Sequence, residues 1–159
     1  MGKSLVKPDI EQLIASADLN NSIIELDNYI CALCEWGDNI PALSYPQVVF
    51  YFNQELEREV NNGGFSQYFE NSSGRYANDT IDMLREIGAD RTAKILEEAI
   101  AFFPNKKVPT DEDLKMGAYN QIKDEANKGW DMLDSQFFKY EDDLNQLNME
   151  YVKSHKDYF

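Results

Sequence analysis

Apolar positions along this chain recur at three- and four-residue steps nearly throughout, and that spacing predicts helices. Ile23, Leu26, Ile30 and Leu33 form one stripe, with Glu25, Asp27 and Asn28 pointing away from it. Asn20, Asn21 or Ser22 offers that helix a cap, and Gly37 a stop. A second helix is expected to start at Ser44, with Pro46 tolerated in its first turn. Val48 or Val49, Phe52, Leu56 and Val60 form its inner face. Asn62-Gly63 should end it, because a left-handed residue closes a helix cheaply.

A short aromatic segment follows, Phe65 to Asn71. Ile81, Leu84 and Ile87 mark a helix over 80–87, ended by Gly88. Asp90 is read as the cap of the next one, which turns Ala93, Leu96, Ile100 and Phe103 inward. Thr110 with Asp113 reads as a capping box for a helix to about Ala126, broken at Lys128-Gly129. The last helix is drawn through Phe137, Tyr140, Leu144, Leu147 and Tyr151. The run SYPQVVFYF is the one temptation to draw a strand, and Pro46 and the continuation NQELEREV argue for helix. The expectation is an all-α fold: a single domain over residues 1–159, built of about seven helices.

Composition adds a core and a charge. Of the 159 residues, 43% are hydrophobic and 13% aromatic, which suits a folded chain. No segment approaches the roughly 20 consecutive apolar residues of a membrane span. The opening MGKSLVKPDIEQ lacks an apolar signal region, and Val6 stands where a myristoylation motif wants Ser or Thr. A cytoplasmic location is the expectation. The formal net charge is −14. Between Pro8 and Glu57 there is no Lys or Arg, but there are nine acids: Asp9, Glu11, Asp18, Glu25, Asp27, Glu35, Asp38, Glu55 and Glu57. Phosphate contacts need cations, so direct nucleic-acid binding by that half is disfavoured and a basic protein partner is favoured. Solubility is the competing use of such a surplus.

Several chemistries lack their residues. Cys31 and Cys34 form a CxxC, yet there is no other Cys and the only His is His155, too few for a zinc site. The pair lies inside an apolar helical stripe, so both read as core thiols. No Glu-x-x-His occurs, so a di-metal bundle is not built here. The carboxylate runs 111–113 and 141–143 read as solvated faces, since adjacent helical residues diverge. No catalytic residue, metal ligand or cofactor is assigned.

One stretch could hold chemistry. VNNGGFSQYFENSSG, residues 60–74, sets amides beside glycines and aromatics. Asn61, Asn62, Gln67 and Asn71 could serve a ligand, with Phe65, Tyr68 and Phe69 as an apolar wall. Alternatively Gly63 and Gly64 turn a corner, Phe65 and Phe69 enter the core, and Asn61 and Asn62 satisfy the orphan carbonyls or local backbone.

The runs QELEREVNNGGFSQYFENSSG, IDMLREIGADRTAKILEEAI and MLDSQFFKYEDDLNQLNMEYVKSH carry a resemblance. Over residues 45–155 the chain resembles the DNA mimic protein 19 family, small acidic helical proteins of bacteria. Residues 1–40 carry no motif of that family. The resemblance implies an all-α fold. It also implies an acidic surface that occupies the DNA-binding face of a transcription factor, in a dimer.

Charge arithmetic permits that role. A compact domain of this size spans about 40 Å, a length of DNA that holds about 24 phosphates, about half of them on one side; a net of −14 matches that side only if the charges segregate, and the nine acids of the cation-free stretch are fewer than a whole face needs, which a dimer would supply better. Partner-facing candidates are Asp9, Glu11, Asp18, Glu25, Asp27, Glu35 and Asp38. Two alternatives stay open: an immunity-type inhibitor of a basic toxin or nuclease, and a small-molecule binder or enzyme using the corner at 61–71. A helix-turn-helix DNA reader over 80–103 is disfavoured, because Glu97 and Glu98 would lie on its recognition helix.

Overall fold

The computed structural model describes residues 4–159, so Gly2 and the rest of Met1–Lys3 lie outside the described residues. The fold is all-α, with seven α-helices and no strand among the described residues. They are α1 (Ile10–Ala15), α2 (Leu19–Leu33), α3 (Tyr45–Glu70), α4 (Ala77–Glu86), α5 (Asp90–Ile100), α6 (Glu112–Phe137) and α7 (Leu144–Ser154). None is long and apolar enough to cross a membrane, among the described residues. The chain divides into two compact units, residues 1–51 with 143–159, and residues 52–142.

In the first unit α1 packs on α2 and α7, and α2 packs on α7. The α2 stripe delivers Ile23, Leu26, Ile30, Cys31 and Cys34 to the core. Val49, Phe50, Leu144, Tyr151, Val152 and Phe159 are buried in the same unit. Phe50 and Phe159 meet edge to face at 6.0 Å between ring centres. Both cysteines are buried thiols outside any disulfide, and burial pushes the Cys34 thiol above its ordinary range. They serve as core residues, as their place in the stripe predicts.

The second unit pairs α4 with α5 and α5 with α6, and the short helical turn 72–76 packs on α4 and α6. Trp130 of α6 is its central anchor. Its ring stacks on Tyr119 at 5.9 Å and 7°, and lies 5.2 Å from Phe69. Its indole N–H donates to the Ala99 carbonyl at 3.1 Å, so the one polar atom of the ring is satisfied in the core.

Several expected boundaries move, each for a physical reason. The cap of α2 is Asp18, whose carboxylate accepts the Asn21 N–H at 3.0 Å; Asn20, Asn21 and Ser22 lie inside the helix. Asp111, not Thr110, caps α6, accepting from Leu114 at 2.9 Å. Asp90 is the first residue of α5, and the cap position belongs to Ala89. The helix expected from Thr80 begins at Ala77. The break expected at Lys128-Gly129 does not occur, and α6 continues to Phe137. A Cβ at Gly129 would fall 2.2 Å from the Phe102 ring, so this glycine makes room for an aromatic and does not stop the helix. Phe137 and Tyr140 therefore precede the last helix. Tyr140 has a φ of 46° in the connection 138–143, and α7 starts after its cap, Asp143.

Candidate functional site

The corner at 61–71 belongs wholly to the second unit. The helical path of α3 is interrupted at Gly63 and Gly64, close to the expected stop, and resumes through the aromatic segment to Glu70. Gly64 has φ 72° and ψ −175°, a conformation open essentially to glycine alone. A restarting helix exposes N–H groups that need acceptors. Asp134 of α6 supplies one: its carboxylate takes the Phe65 N–H at 2.8 Å. Burial pushes this carboxyl above the ordinary carboxylate range, the Phe65 N–H works against that, and nearby Asp131 adds to it.

The far end of the same segment is closed by a cation. Lys115 is fully buried, and its Nζ donates to the Phe69 carbonyl at 2.8 Å and the Asn71 carbonyl at 2.6 Å. It also pairs with Glu112 at 3.2 Å. Burial lowers the Lys115 ammonium from its ordinary range, against the pull of Glu112. Cations belong at helix C-termini, where carbonyls are left over, and here one arrives from another helix.

The amides of the corner face their own neighbours. Asn61 donates to the Tyr140 hydroxyl at 2.7 Å, and that hydroxyl donates to Glu57 at 3.0 Å. Burial, with Glu57 nearby, pushes the Tyr140 phenol up to about 12. Gln67 and Asn71 both donate to Glu59, at 3.0 and 2.7 Å. Phe65, Tyr68 and Phe69 are buried in the core. Asn62 and Gly63 are exposed, and Gly64 is buried. Asn61 thus spends its amide on a side chain, and the carbonyls that Lys115 takes lie at the other end of the segment. A groove of about 700 Å3 in this unit runs between the 104–111 loop and α6, and no residue of 61–71 lines it.

The acidic candidates all belong to the first unit. Asp9, Glu11, Asp18, Glu25, Glu35 and Asp38 are exposed, and Asp27 is half-buried. Some of them also have structural work. Asp9 caps α1 through the Gln12 N–H at 3.1 Å, and Asp18 caps α2. Glu11 pairs with Lys156 at 2.7 Å, and the Cys31 thiol lies 3.6 Å from the Asp27 carboxylate. Glu25 lies on the outer side of α2, while Glu35 and Asp38 flank the tight turn that follows it.

A model of the DMP19-like protein family matches residues 41–155, most of the chain and the whole of the corner. The chain belongs to this family. No curated protein and no solved structure matches it. The DMP19-like region begins at 41, so all seven acidic candidates precede it, whereas the glycine corner, Lys115 and Asp134 lie within it. Lys115 and Asp134 escape a reading of the sequence, because nothing local to either names a partner 44 or 69 residues away.

Proposed function

We propose that this DMP19-like chain is an acidic protein-binding regulator that occupies the nucleic-acid-binding face of a basic partner. The observation that carries the reading is the exposed, cation-free stretch of the first unit. From Pro8 to Tyr51 this unit holds no Lys or Arg, and six of its seven acids there are exposed. Its described cations, Lys7, Lys153 and Lys156, all lie outside that stretch. Such a surface attracts a protein that binds phosphates, and the attraction weakens as salt screens it. At the corner, Asn61, Gln67 and Asn71 are engaged with Tyr140 and Glu59, which supports a structural part for these three amides.

The test is capture from the native cell at low salt, release by a salt gradient, and competition by duplex DNA. The expected result is a basic DNA-binding protein that elutes steeply with salt and is displaced by DNA. Capture that is indifferent to both salt and DNA would overturn the proposal. A captured nuclease or toxin that loses its activity in the complex would favour the immunity-type variant.

A further inference from the structure

Helix α6 carries two glycines, and only one of them has a use inside the fold. At Gly129 a Cβ would fall 2.2 Å from the Phe102 ring, so that residue is small because an aromatic sits there. At Gly117 an added Cβ would meet nothing within 4 Å. Gly117 lies inside α6 and is not one of the glycines with positive φ. Glycine within a helix is costly relative to alanine. Its compensating uses are a left-handed backbone, a close approach of the chain to itself, and a close approach of backbone to a ligand. The first two do not apply at Gly117, which leaves the third.

Gly117 lines the groove of about 700 Å3 between the 104–111 loop and α6, wholly within the second unit. Pro104, Val108 and Pro109 line it from the loop, and Leu114 and Ala118 join Gly117 from α6. The volume falls within the roughly 300–1,000 Å3 of small-molecule sites, which likewise set a few polar groups in an apolar lining. Asn78 fixes the loop side: it accepts the Val108 N–H at 3.1 Å and donates to the Val108 carbonyl at 2.7 Å. Both backbone groups of Val108 are therefore taken, and an occupant cannot pair with them as an added strand.

We propose that this groove binds a small organic cation, with its apolar body over Gly117 and its ammonium toward Asp113. Charge complementarity selects the class. Asp111 and Asp113 line the groove against a single cation, Lys107. The Asp111 carboxylate already caps α6, whereas Asp113 has no hydrogen bond or ion pair among the described residues. The net charge of −14 adds a field that favours cations over anions. The site is independent of the acidic surface of the first unit.

The test uses the full chain and amide NMR, with tryptamine as the cation and indole-3-propionate as its anionic counterpart. Tryptamine is expected to shift the Leu114, Gly117 and Ala118 amide resonances saturably, and to bind at least about five-fold more tightly than indole-3-propionate. Asp113→Asn should reduce that preference to less than about two-fold. Gly117→Ala should raise the thermal midpoint by about 2–4 °C, because alanine is the better helix former. It should also weaken tryptamine at least about five-fold, because the new methyl takes space in the groove. A glycine with no ligand would give the first effect without the second. The proposal is overturned if Gly117→Ala binds tryptamine as tightly as the natural chain, if the tryptamine shifts scatter over the first unit without saturating, or if the anion binds as tightly as the amine. The same thermal scans show that both variants fold.

Discussion

The two units start and stop their helices by different means. In the first, Asp9, Asp18 and Asp143 each cap their own helix, three residues away in sequence. In the second, Asp111 does the same, but the ends that matter most are closed from afar. Asp134 reaches Phe65 across 69 residues, Asp142 reaches Thr92 across 50, and Lys115 reaches Asn71 across 44. Local caps leave a carboxylate on the surface, still part of the molecule's outward field. Remote caps lock charge inside the architecture. The difference separates two placements of ionised side chains: in the first unit many stay exposed to solvent, while at the corner of the second they hold the fold together.

The sharpest way to break this contrast is to remove a remote cap. Lys115→Met leaves the end of α3 without its donor and Glu112 without its cation, and should cost about 3 kcal/mol in urea denaturation. Gly64→Ala should cost about 2–3 kcal/mol by the same measurement, because alanine does not tolerate that φ and ψ. Asp134 sharpens the point through pH. Its carboxyl is raised by burial, so the folded chain holds this proton more tightly than the unfolded one. Its contribution to stability therefore falls as pH rises from about 4 through its raised value. Asp134→Asn keeps an acceptor for Phe65 and should remove that slope, whereas Asp134→Ala should cost about 1 kcal/mol at neutral pH. In the first unit Asp18→Ala should cost about 1 kcal/mol, an ordinary cap loss. Smallest of all, Glu25→Gln, Glu35→Gln and Asp38→Asn should each move stability by no more than about 0.5 kcal/mol in thermal unfolding.

The same division explains what the sequence made legible. The stripes of α2 and α3 were readable because 3-4 spacing reports burial directly, and Ile23, Leu26, Ile30, Val49, Leu56 and Val60 are all core. The interruption at Gly63-Gly64 was readable because a glycine pair has few other uses. The cap of α2 was misplaced by two or more residues, since Asp18, Asn20, Asn21 and Ser22 are all good cappers and only geometry chooses among them. Gly129 was misread as a stop because its reason is the Phe102 ring, a partner far away in sequence. Lys115 and Asp134 looked like two more charges in a charged protein, and the burial that gives them their roles comes from the fold. The acidic candidates were named by the absence of cations between Pro8 and Glu57, a signal that needs no fold at all.

The central claim is that exposed carboxylates of the first unit bind the partner while charge at the corner of the second maintains the fold. The most direct measurement is the salt dependence of affinity for the captured partner, in the natural chain and in the triple variant Glu25→Gln, Glu35→Gln, Asp38→Asn. The account predicts a steep loss of affinity with salt, a shallower slope and weaker binding in the variant, and an unfolding midpoint little changed by the substitutions. A variant that binds the partner as tightly as the natural chain, with the same salt slope, would contradict it.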